Sequence, residues 1–175
     1  MSLEKRLPLS TRALDEIVAF RADGPVALAQ LLAESADLAR RLPRQAYTVN
    51  LQTDRYRYLL GFCATLLSGG CTLMPADRLQ VTLSQLSTEY PGCHVLGENA
   101  PEFDGLQSNA RADAIPEIPA DQQAVIAFTS GSTGKPRPNI KYWETLLTGT
   151  ANNVDLLAVG APEDSSQPRV NFVAT

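Results

Sequence analysis

The spacing of apolar positions along this chain switches repeatedly between a helical period and a strand-like one. After Ser10 or Thr11 as a cap, residues 11–20 predict a short helix. Gly24-Pro25 marks a turn, and Pro25 suits the first position of the next helix. Leu28, Leu31, Leu32, Leu38 and Leu42 then recur at helical spacing up to Leu42-Pro43. Residues 46–51 predict a strand. Thr53 or Asp54 starts a helix with Leu59, Leu60, Cys63, Leu66 and Leu67 on one face, and Gly69-Gly70 ends it. Cys71 to Met74 is a second strand, stopped by Pro75. A helix from about Gln80 to Glu89 leads through Pro91-Gly92 to a third strand, His94 to Leu96.

From Gly97 to Gln122 the pattern disappears. Pro101, Pro116 and Pro119 stand among polar residues, which predicts a long surface connection. The uninterrupted run Ala124 to Phe128 then reads as a central parallel strand. A helix from about Tyr142 to Leu157 and a strand from Arg169 to Ala174 complete the pattern. Strands alternating with helices predict an α/β fold, a mostly parallel sheet with flanking helices. A sheet whose last strand has no covering helix looks unfinished, so the expectation is a fragment of a longer protein.

Composition narrows the function classes. The chain is 44% hydrophobic and 19% charged, with a net charge of −4, which disfavours a general affinity for nucleic acid or an anionic membrane. No apolar run approaches the roughly 18 to 20 residues of a membrane span, and the start of the chain has no signal-like apolar region. Cys63, Cys71 and Cys93 form no Cys-x-x-Cys pair, and three thiols fit a reducing compartment. The cytoplasm is the expected location.

The chemistry concentrates in Phe128-Thr129-Ser130-Gly131-Ser132-Thr133-Gly134-Lys135-Pro136, directly after the most apolar strand. This segment should emerge at the carboxyl edge of the sheet, where open α/β sheets bind ligands. Two glycines let backbone N–H groups approach a ligand, four hydroxyls add donors, and Lys135 adds an ammonium. No Asp or Glu occurs between Asp121 and Glu144, whereas two of the three lysines, Lys135 and Lys141, and Arg137 lie there. An acidic chain that gathers cations around a Gly/Ser/Thr loop is built to meet an anion.

Three other loops are excluded. A Walker A loop would need glycine where Thr129 stands and Ser or Thr where Pro136 stands. A nucleophile elbow lacks its first glycine at Ser130, and the sole histidine, His94, precedes the serine instead of following it. A dinucleotide-binding Gly-x-Gly-x-x-Gly is absent.

The Thr129–Pro136 segment resembles the signature phosphate loop of the adenylate-forming superfamily: acyl- and aryl-CoA ligases, adenylation domains of peptide synthetases, and luciferases. The resemblance extends more loosely over most of the chain. It implies that residues 1–175 are the N-terminal portion of the AMP-binding core domain, with the C-terminal subdomain absent. It implies activation of a carboxylic acid by ATP with Mg²⁺, and transfer of the acyl group to the thiol of CoA or of an acyl carrier protein. Thr129, Ser130, Gly131, Ser132, Thr133, Gly134 and Lys135 would hold the β- and γ-phosphates. Arg137-Pro138-Asn139-Ile140-Lys141-Tyr142-Trp143 departs from many members and is similar to ligases of aryl-polyene pigment biosynthesis.

The family's aromatic-Gly-Thr-Glu segment, ribose-binding aspartate and catalytic lysine have no counterpart here. No catalytic residue and no metal ligand is therefore assigned, and the chain alone is expected to be inactive. A fragment of this kind would also expose apolar surface through which it could dimerise. The alternative is a non-catalytic nucleotide-binding or interaction module.

Overall fold

A computed structural model describes residues 4–44, 46–106, 109–129 and 137–149. The expected helix over 11–20 is not formed. Instead strand β2 (Ile17–Arg21) folds back on strand β3 (Gly24–Ala27), with Arg21 opposite Gly24 and Gly24 at φ 132°, a conformation suited to glycine. Strand pairing overrides the short helical spacing that Leu14, Ile17 and Val18 suggest. Pro25 accordingly lies in β3, and helix α1 begins later, spanning Leu28–Arg41. Its N-cap residue Ala27 makes no side-chain cap bond. The carbonyls of Glu16 and Leu14 accept from Leu28 N and Ala29 N at 2.9 and 2.8 Å and cover that helix end.

The central sheet is close to the expected pattern. β4 (Tyr47–Asn50), β5 (Cys71–Met74), β6 (His94–Leu96) and β8 (Gln123–Thr129) are its parallel strands. A fifth strand, β9 (Arg137–Tyr142), pairs antiparallel with β8, giving the order β6-β4-β5-β8-β9. β9 was not expected, because Pro138 removes a ladder donor. It is tolerated because β9 lies at the edge of the sheet among the described residues. Helix α2 (Arg55–Leu67) crosses from β4 to β5, and α3 (Gln80–Glu89) from β5 to β6.

The stretch expected to be a featureless connection carries a 3₁₀ turn, Pro101–Phe103, and a short strand β7 (Glu117–Pro119). β7 pairs with β1 (Arg6–Pro8) at the start of the chain. Residues 143–149 form helix α4. The rest of the helix expected to reach Leu157 and the strand expected at Arg169–Ala174 lie outside the described residues.

Three apolar clusters hold these parts together. On one face, α3 supplies Leu86 to pack with Val49, Leu73, Ile126 and Phe128. On the other, Leu66 of α2 meets Val125 and Trp143 of α4. The third joins α1 to α2 through Leu31, Leu32, Leu38, Leu60 and Ala64, and takes in Phe103 of the 3₁₀ turn. Among the described residues no helix is long and apolar enough to cross a membrane.

Candidate phosphate-binding edge of the sheet

β8 supplies the anchor for the site. Ala124, Val125, Ile126 and Phe128 are buried, and the strand is paired on both sides, by β5 and by β9. Alternation sends Ile126 and Phe128 toward α3 and Val125 toward α4. Both faces are therefore covered, and the strand cannot slip without exposing one apolar set.

Thr129, the last residue of β8, is exposed at the carboxyl edge and stands opposite Arg137, the first residue of β9. The expected phosphate ligands thus divide. Thr129 is placed where the sequence puts it. Ser130, Gly131, Ser132, Thr133, Gly134 and Lys135 lie outside the described residues, in the segment that joins the two strands. Arg137 is exposed beside that segment, and Lys141 is half-buried on β9. Neither has an ion-pair partner among the described residues. The nearest acid along the chain, Glu144, is engaged with Lys5. The strand ends that frame the segment thus offer donors and cations without a competing carboxylate, which suits phosphate oxygens. Mg²⁺, a hard cation that takes oxygen ligands, would reach such a site with the phosphates.

The neighbouring strand exits are tied together by side chains that the sequence did not single out. Arg78 donates to the carbonyls of Leu51 and Gln52 at 3.2 and 3.5 Å, linking the exit of β5 to that of β4. Asn50, buried, donates to the Tyr58 carbonyl at 2.9 Å and accepts from Gln52 N at 3.2 Å. Gln52 Nε2 donates to the Gly97 carbonyl, and the Glu98 carboxylate accepts from Thr53 N at 3.0 Å, so β6 joins the same platform. Asp54 caps α2 by accepting from Arg57 N at 2.8 Å. No sequence spacing pairs Arg78 with Leu51. The nearest signal was Asp54 as a helix cap.

A cleft of about 870 Å³ lies beside this platform between the β2–β3 hairpin and the start of α2. At its wall the Glu34 carboxylate, almost fully buried, accepts from Tyr56 Oη at 3.0 Å and Gln30 Nε2 at 2.8 Å, and lies 3.6 Å from Arg21 Nη1. Burial, reinforced by the Glu34 charge, pushes the Tyr56 hydroxyl well above the usual phenol range. Tyr56 therefore stays a donor to Glu34 throughout the ordinary pH range. Arg21 also stacks on the Tyr56 ring at 5.2 Å. These groups satisfy one another and fasten the hairpin to the two helices.

No family model matches the chain. Among curated proteins it is similar to the AMB antimetabolite synthetase AmbB of Pseudomonas aeruginosa, 32% identical over an alignment of 152 residues. That match takes in 72% of this chain and 12% of AmbB. Among solved structures, ATP-bound MatB from Rhodopseudomonas palustris superposes with a TM-score of 0.65 at 19% identity, over 83% of this chain and 35% of MatB. The o-succinylbenzoate CoA synthetase MenE of Bacillus subtilis, in complex with its acyl-adenylate intermediate, gives 0.67 at 18% identity, over 92% of this chain and 48% of MenE. The chain thus spans a small part of its curated relative and less than half of these structures. The structural likenesses establish the fold, that of MatB and MenE, and the AmbB match adds a sequence relationship to a synthetase over this stretch, in a chain whose Thr129–Pro136 segment resembles the adenylate-forming signature.

Proposed function

We propose that this chain supplies the ATP-phosphate grip of a ligase that adenylates a carboxylic acid and passes the acyl group to a thiol of CoA or of a carrier protein. The observation that carries the reading is the signature Thr129-Ser-Gly-Ser-Thr-Gly-Lys135, rooted on a buried central strand at the carboxyl edge of the sheet. ATP with Mg²⁺ supplies the adenylyl group and the pyrophosphate leaving group. Thr129, Ser130, Gly131, Ser132, Thr133, Gly134 and Lys135 hold and neutralise the β- and γ-phosphates. Their contribution is to position the phosphates and stabilise charge, and the acid and the thiol are bound by parts of the ligase that this chain does not contain. MatB is described with ATP and MenE with an acyl-adenylate, which supports the same use of nucleotide here.

Acid-dependent ATP–pyrophosphate exchange tests the reading. The protein that carries this chain joined to the remainder of a ligase should exchange, and the 175-residue chain alone should not. Gly131→Val should depress exchange by about a hundredfold, since each charge-assisted phosphate contact contributes about 1.5 to 3 kcal/mol and a misplaced backbone loses more than one. Full exchange in the Gly131→Val protein would place the nucleotide elsewhere. Exchange by the isolated chain would overturn the division of labour.

A further inference from the structure

A second cleft, about 760 Å³, opens at the amino edge of the parallel strands, at the opposite end of the sheet from Thr129. It lies where the last turns of α1 and α2 meet the β1–β7 ribbon. Its volume is in the range of small-molecule sites, about 300 to 1,000 Å³. Leu42, Leu67 and Ile118 line an apolar floor. Arg6, Arg40 and Arg44 stand at the rim, with Glu117 the sole carboxylate of the lining, a net charge of +2 on a chain whose total is −4.

The ordinary duties of these arginines do not exhaust them. Arg40 pairs with Asp37 at 2.9 Å in the last turn of α1, where a cation also complements the helix end. Arg6 donates from Nη2 to the Glu117 carbonyl at 2.6 Å. Arg44 lies beyond the end of α1, is exposed, and has no hydrogen-bond or ion-pair partner among the described residues. Each guanidinium carries five N–H donors in a planar fork matched to carboxylate. Two backbone acceptors beside the cleft are taken, the Leu66 and Gly70 carbonyls, which both accept from Gln122 Nε2 at 3.0 and 3.1 Å. What the cleft leaves unused is therefore donor capacity above an apolar floor.

We propose that this cleft is a second binding site, separate from the phosphate grip, for a small amphipathic anion. Its ligand is a carboxylate bearing a short hydrocarbon chain, with the head on Arg44 and its neighbours and the tail over Leu42, Leu67 and Ile118. An anion with no tail leaves the floor wet, and a neutral tail leaves the arginines unmet.

Amide NMR titration of the 175-residue chain with hexanoate, 1-hexanol and inorganic phosphate tests this. Hexanoate should shift the amides of Ala39, Leu67 and Ile118 in a saturable way, at least about tenfold more tightly than hexanol or phosphate, one charge-assisted contact being worth that much. Arg44→Glu should weaken hexanoate about tenfold or more. Arg44→Gln, milder toward folding, should weaken it by a smaller factor while the remaining spectrum is unchanged. Equal affinity for hexanoate and hexanol would overturn the role of the arginines, and equal affinity for phosphate that of the floor. Undiminished binding by either Arg44 variant, shifts confined to other residues, or the absence of any hexanoate binding would overturn the site.

Discussion

Single residues decide how closely the platform can be assembled. Gly61 sits inside α2 where Ala would ordinarily be preferred by up to about 1 kcal/mol. A Cβ there would stand 2.5 Å from Asn50 Nδ2, the group that donates to the Tyr58 carbonyl. Overpacking of a closed contact costs about 1 to 3 kcal/mol, more than the helix gain, so Gly61→Ala should lower the urea midpoint. In an Asn50→Ala background the same substitution should be neutral or stabilising, and a double-mutant cycle measures the difference. Glu34 presents the complementary case. Removing its buried carboxylate strands the Tyr56 hydroxyl and Gln30 amide and takes one carboxylate from Arg21, so Glu34→Ala should cost about 3 kcal/mol in chemical denaturation. Glu34→Gln should recover part of that loss. Neither residue was legible in the sequence, because Asn50 and Glu34 read as ordinary polar positions until the chain brings α1, α2 and the hairpin together. The Thr129–Pro136 segment stood out because its residue types and order lie within one short run, and its role as a phosphate grip is proposed from them.

At the scale of elements, the parts read correctly from the sequence are those whose own apolar pattern is strong. β5, α3 and β6 fall where the spacing puts them, and α2 starts after Asp54, one of the two caps the sequence offers with Thr53. That cap is testable: Asp54→Ala should lower stability by about 1 kcal/mol, whereas Asp54→Asn, which keeps an acceptor for Arg57 N, should lose only a fraction of it in the same thermal melt. The misread parts depend on distant partners. Residues 11–20 carry a brief helical spacing, yet β2 exists because β3 pairs with it, and the carbonyls of Leu14 and Glu16 are claimed by the start of α1. β1 and β7 are three residues each and 111 positions apart at Arg6 and Glu117, too short to show a period and too distant for a hairpin signal. β9 was obscured by Pro138, whose cost is small where the strand lies at the edge of the sheet, as it does among the described residues.

For the whole molecule, burial of the thiols links folding to alkaline pH. Burial pushes the Cys63 thiol from 9.0 up to about 12. Burial pushes Cys71 up to about 11, opposed by a backbone hydrogen bond at Ile126. Burial likewise raises the phenols of Tyr56, Tyr58 and Tyr90. In each case the folded chain keeps a proton that the unfolded chain releases, so stability must fall as pH rises. The thiol contribution is complete below about 9, where the unfolded thiols begin to ionise, and declines as pH climbs toward the folded values of about 11 and 12. A fully protected thiol contributes up to about 1.4 kcal/mol per pH unit across that window. Urea midpoints should therefore be level from pH 7 to about 8.5 and fall steeply above about 9. The same burial governs reactivity, since the thiolate is the nucleophile. At pH 8 iodoacetamide should modify the half-buried Cys93 first, while Cys63 and Cys71 react only at the rate of opening. Simultaneous labelling of all three in the native state, together with a flat midpoint to pH 11, would show that the two faces of the sheet are not sealed as α2 and α3 arrange them.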